Sequence, residues 1–127
     1  MVRVGLLVLA LVAPIAPYAP IAPVAPLYAQ PLPPELTKPV NDFANVVDAT
    51  SEAEIERRIL ALQSASGDVV VVATIDTFQP YADIQEYAVK MFENRGRGIG
   101  AKPKDNGLLV LLAVRDRRVA ARSHVER

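Results

Sequence analysis

Four residues of this chain carry oxygens suited to an ion and stand in the expected loops: Asp42, Asp105, Asn106 and Asp116. Hard cations such as calcium collect six to eight oxygens from side chains of this kind and from backbone carbonyls. Asp105 and Asp116 flank one apolar run. Eight residues at roughly 3.3 Å each hold its ends about 26 Å apart, so the two cannot share an ion across a straight strand. Asp116, inside "RDRR", is therefore assigned mainly to a turn, where Asp is common for local reasons. Asp105-Asn106-Gly107 has two readings, a tight turn or a pair of ligands at a strand's mouth. On residue type alone the turn is the better account.

Other chemistries find less support. His124 is the only His, there is no Cys, and Ser123 is merely its neighbour in sequence. A Ser-His-Asp nucleophile needs a positioned Ser and an orienting acid, and zinc needs several His or Cys ligands. "GRGIG" at 96–100 has the glycines of a dinucleotide loop, but it follows a helical pattern and opens none, so it reads as a flexible loop. Lys102 and Lys104 beside it suit solvent better than a bound anion.

The elements that must position these residues follow from periodicity. "ATSEAEIERRILALQSASG" has a capping box at Ser51 and Glu54, an apolar face of Ile55, Ile59 and Leu62, and a stop at Gly67. "DVVVVATI" is a β-branched run without alternation, the mark of a strand covered on both faces. A second helix carries Ile84, Tyr87, Ala88, Met91 and Phe92 on one face and ends at Gly96. Leu108 to Val114 is a second buried strand, parallel to the first through a βαβ crossover. "RDRR" then turns the chain into a third strand from Val119, antiparallel to the second. The expected fold is an α/β sandwich, a βαβ unit plus an antiparallel third strand. Such a sheet leaves one edge and one face uncovered, as in a domain whose C-terminal part is missing.

The first thirty residues are of another kind. Arg3 precedes "VGLLVLALVA", the charged and apolar regions of a secretory signal peptide, too short for a stable membrane span. "APIAPYAPIAPVAP" repeats Ala-Pro-x with period three, which blocks helix and favours polyproline II. Cleavage is expected near Ala29-Gln30, although Leu27 is not an ideal residue two positions before Ala29. This division gives a signal peptide at 1–29, a proline-rich linker at 30–39 and a domain at 40–127. The 127 residues carry no net charge; cleavage after Ala29 removes Arg3 and leaves 98 residues at −1, and no basic stripe remains to suggest nucleic acid. The absence of cysteine is compatible with a periplasmic or secreted protein that uses no disulfide.

"VNDFANVVDATSEAEIERRIL", "GDVVVVATI" and "DIQEYAVKMFENRGRGIGAKPKDNGLLVLLAVRDRRV", in that order, resemble the TPM-domain family over roughly Val40 to Val119. The most specific pieces are "VND", the "EYA…F" of the second helix and "DNGLLVLLAVRDRRV". The resemblance implies an α/β sandwich in an exported bacterial protein, periplasmic, secreted or held on the outer side of a membrane. The resemblance also implies a divalent-ion site, since some members resemble acid phosphatases and bind calcium or a similar divalent ion, such as magnesium, in an acidic cleft. By position the implied metal ligands are Asp42, Asp105 and Asn106. The family's usual Gly-x-Gly-Leu-Glu after the third strand should return beside Asp105, but "AARSHVER" stands there instead. Two functions are therefore expected. One is a metal-dependent phosphomonoesterase, with the ion polarising the phosphoryl oxygens and positioning water. The other is a non-enzymatic envelope module that binds a protein partner and uses the ion to order its loops.

Overall fold

The structure is a computed structural model that describes residues 29–100 and 105–124, together with 5, 12–15, 17, 18 and 20–23. Nearly all of the apolar run expected to be a signal peptide lies outside the described residues, as do Leu27, Lys102 and Lys104. The elements are β1 (Val40–Asp42), α1 (Ala49–Ser66), β2 (Val69–Ile75), α2 (Ile84–Glu93) with a 3-10 turn at Asn94–Gly96, β3 (Gly107–Ala113) and β4 (Arg118–Ser123). They form a mixed α/β fold on one sheet, ordered β1-β2-β3-β4.

The sheet holds four strands where three were expected. β1 is only three residues of "VND", too short to show periodicity, and it pairs parallel to β2 from Val40↔Val72 to Asp42↔Thr74. β2 and β3 run parallel, Val69↔Gly107 to Ile75↔Ala113, and β4 returns antiparallel with Ser123 opposite Leu108. The expected crossover strands and hairpin are therefore both present.

The helices form largely where the spacing placed them. The N-cap of α1 lies three residues before the expected Ser51 cap. Asp48 is the N-cap, accepting from the Ser51 backbone N–H at 2.9 Å and its hydroxyl at 2.6 Å. A carboxylate takes both donors and also favours the helix's positive end, so it displaces Ser from the role. Gly67 closes α1 in the left-handed conformation, as its position suggested. α2 buries Ile84, Tyr87, Ala88, Met91 and Phe92, the expected face. It ends at a left-handed Asn94 rather than at Gly96.

α1 packs on β1 and β2, whereas α2 packs on β3 and β4. One sheet face, with Val71, Ala73, Ile75, Leu109, Leu111, Ala113 and Ala120, joins the α2 face in a single core. The alternate residues fare differently. Leu108, Val110 and Leu112 are half-buried, and Val119 is 64% exposed. β3, expected to be a buried strand, is therefore fully buried on one face only. Its burial alternates, because α2 lies against one side only.

Residues 30–39, expected to be a linker, are packed onto the domain. Pro33 and Leu36 are buried, and Leu36 belongs to the main core. Proline blocks helix and strand but leaves an extended chain free to lie in a groove.

Truncating the core strand and its exposed neighbour should separate these environments. Leu111→Ala is expected to cost about 3 kcal/mol and Val119→Ala less than about 0.5 kcal/mol, read from urea midpoints at unchanged slope.

Candidate functional site

β1 delivers Asp42 to the carboxyl end of the sheet, where open α/β sheets commonly bind ligands. Its neighbours have already claimed it. Oδ1 accepts from the Thr74 hydroxyl at 2.5 Å and the Val46 N–H at 3.1 Å, and Oδ2 accepts from the Val47 N–H at 2.8 Å. Thr74 Oγ1 in turn accepts from the Ala44 N–H at 3.2 Å. Asp42 thus acts as the hub of the 43–47 loop, which leads the chain into α1. Burial works to raise its carboxyl pKa, but the hydrogen bonds from Thr74, Val47, Val46 and Asn45 together outweigh it, and the group lies below the usual carboxylate value.

Asp105 and Asn106 lie at the opposite end. Asp42 is level with Thr74 and hence with Leu112 on β3. Gly107, which follows the pair, is five residues earlier on the same strand, about 16 Å away along it. Two strand spacings add about 10 Å across. The expected gathering of Asp42 with Asp105 and Asn106 does not occur. The reason is direction: in parallel strands the end of β1 and the start of β3 are opposite poles. Among the described residues no group of three or more His, Cys, Asp or Glu stands close enough to hold an ion.

The Asp-Asn-Gly mouth is nonetheless more than a bend. Asp105 is exposed in the left-handed region, φ 46°. Asn106 donates through Nδ2 to the Gly67 carbonyl at 2.6 Å, and its own carbonyl accepts from the Val69 N–H at 2.9 Å. It therefore ties the exit of α1 and the start of β2 to the start of β3. Gly107 meets the glycine loop so closely that an added Cβ would lie 2.1 Å from the Ile99 carbonyl oxygen. Gly100, at φ 79°, would drive a Cβ to 2.6 Å from Asn106 Oδ1. "GRGIG" is thus a backbone surface fitted against the strand's mouth. A depression of about 310 Å³ opens beside it, lined by Asp68, Asp105, Asn106 and Ser123 with apolar Leu62 and Val70.

Calcium would need more than this donor set supplies. Asp42 has both oxygens engaged and lies at the far pole, and Asn106 turns its amide nitrogen to Gly67. The three implied ligands do not fit one cation.

Asp116 does more than shape its own turn. It accepts from the Thr77 hydroxyl at 3.2 Å and the Phe78 N–H at 2.9 Å, tying the β3–β4 hairpin to the loop after β2. His124 is exposed and meets the edge of Phe92 at 4.8 Å between ring centroids. Sequence reasoning missed Thr74, a hydroxyl within a β-branched run, and Asn94, whose one signal was an Asn just before the helix-ending Arg95-Gly96.

The model of the TPM domain matches residues 40–124. The chain belongs to the TPM-domain family. Among solved structures it is similar to the N-terminal domain of a protein from P. gingivalis, determined by solution NMR, with 25% identity and a TM-score of 0.59. The likeness covers 68% of this chain and 54% of the other, so the chain spans about half the length of that relative. No curated protein matches it significantly. The "VND" and "DNG" of this TPM domain are accordingly two separate structural devices, one at each pole of the sheet.

Two outcomes check these roles. Gly107→Ala should cost about 2 kcal/mol in urea unfolding, because the Ile99 carbonyl must move to admit a methyl group. Because the folded pKa of Asp42 is depressed, its contribution is complete above the unfolded carboxyl value and is lost as pH falls through the folded one. Asp42→Asn should therefore be less stable than the parent at neutral pH and lose less of its stability in acid, by unfolding midpoints across the acid range.

Proposed function

We propose that this TPM domain works as an exported envelope interaction module rather than as a metal-dependent phosphatase. The observation behind this reading is the separation of the two acidic sites. Asp42 is at the carboxyl pole with its oxygens bonded to its own loop, and Asp105 is at the amino pole of β3. Phosphoryl transfer by metal assistance needs charge-stabilising groups converging on one phosphoryl group. Converging sets of that kind come from several strand ends at one pole, whereas here the implied ligands come from two.

Export follows from the N-terminal sequence, with its single early positive charge, apolar stretch and Ala-Pro-x spacer. The module then acts outside the cytoplasmic membrane, in the periplasm, in the medium or at the outer surface. No helix among the described residues is long and apolar enough to cross a membrane.

A direct assay divides the two functions. Incubated with an aryl phosphate and calcium or magnesium, the full chain should release no more phenol than a protein-free blank, and chelator or Asp105→Ala should change nothing. Turnover that needs the ion and falls at least tenfold in Asp105→Ala would replace the interaction role with the enzymatic one.

A further inference from the structure

Residues 31–36 cross the domain as an extended proline-rich strap, and the surface beneath them is built to grip it. Asn94, left-handed at the end of α2, applies both ends of its amide to one residue. Its Oδ1 accepts from the Leu36 N–H at 2.9 Å and its Nδ2 donates to the Leu36 carbonyl at 3.2 Å. At the other end of the strap the Tyr81 hydroxyl donates to the Pro31 carbonyl at 2.9 Å. Between these anchors Arg97 pairs with Glu35, and Pro33 and Leu36 are buried. Pro33 lies in a cleft shared with Met91, Asn94 and Arg95.

Each contact has a recognisable part in peptide binding. An amide that satisfies both polar groups of one backbone residue reads extended chain and ignores its side chain. The depressions for Pro33 and Leu36 select what the backbone contacts do not. Arg97, just after α2, complements a carboxylate, here that of Glu35. Proline lowers the ordering cost, because polyproline II is already extended before it binds. The strap pairs with no strand, so its departure breaks no ladder of β1 to β4, although it uncovers the core around Leu36.

We propose that this surface of α2 is a docking site for an extended, proline-rich segment of a partner protein, with a carboxylate directly before a leucine. In the free chain, residues 31–36 occupy it in cis and the partner displaces them. The inference rests on the interaction role proposed above and names the partner's chemistry. A tethered competitor acts at an effective concentration on the order of millimolar, so the intact chain should bind such a segment weakly and a chain with a loosened strap should bind it well.

The test titrates a fluorescent peptide of sequence QPLPPELTK with the full chain and follows anisotropy. Leu36→Ala, which weakens the cis strap, should bind it at least tenfold more tightly than the parent. Asn94→Ala added to that variant should abolish the gain, as should a scrambled peptide. A Leu36→Ala chain with native circular dichroism and no binding would overturn the proposal, and so would equal binding of the scrambled peptide. If Leu36→Ala does not fold, charge exchange takes its place. Arg97→Glu should then prefer a peptide with Lys for the Glu at least fivefold, and indifference to that exchange would also overturn it. Missing peptide binding without phosphatase turnover removes this docking site alone. Ion-dependent turnover removes the interaction role itself, whatever the peptide does.

Discussion

The contact between the Ile99 carbonyl and the bare Cα of Gly107 determines where β3 begins. Much else follows from that starting point. With Gly107 opposite Val69, the register with β2 puts Leu109, Leu111 and Ala113 under α2 and leaves Leu108, Val110 and Leu112 on the other side. A slip of one residue would exchange the two sets, because side chains alternate along a strand. Three small devices hold the start in place: the missing Cβ at 107, the left-handed Gly100, and the Asn106 amide on the Gly67 carbonyl. Residues that looked like ligands thus act mainly on register.

The carboxylates show the same economy. Asp42, Asp48, Asp83 and Asp116 all accept from backbone N–H groups within loops or helix starts. Each spares an orphan donor at an element's end from going unsatisfied. Asp83 accepts from the Glu86 N–H, and Glu86 reaches back to the Ala82 N–H, so the start of α2 is closed from both directions. Four of the chain's fourteen acidic side chains are engaged in this way. For Asp42 and Asp116, which looked like ligands, folding alone accounts for a carboxylate at that place.

How much of this was legible depended on segment length and on the range of the contact. α2, β2 and β3 are long enough for their apolar spacing to carry a signal, and they lie where the spacing placed them. β1 has three residues, and nothing local distinguishes "VND" as strand from "VND" as loop. Without β1 the pole occupied by Asp42 could not be known, and the expectation that it would meet Asp105 follows directly from that gap. The family resemblance supplied the right fold and named the three residues together, but belonging to one pattern does not bring residues to one place. Asp48 displaced Ser51 as the cap for a simpler reason, since both lie at plausible spacing and only geometry shows which one accepts. The apolar run of β3 was read as a buried strand, but only alternate residues are fully buried, because a run records residue type and burial depends on what the rest of the chain lays against it.

The strap at the edge of the domain follows the same rule. Three prolines between residues 30 and 35 read as a linker, since proline rules out the regular elements that sequence patterns detect. What such a segment does instead depends on its hosts, and those are Asn94, Tyr81 and Arg97, more than forty residues away in sequence. The hosts serve their own helix as well: Asn94 is the left-handed end of α2, and Tyr81 meets Tyr87 edge-on at 5.0 Å. Because they are held by the domain's own packing, the grip on the strap is largely preformed. A preformed grip loses little freedom when a chain enters it, so affinity is decided by the chain that competes for it. In the docking proposed here that competitor is the N-terminal segment, and the proline content that made it read as a linker also makes it a low-cost ligand.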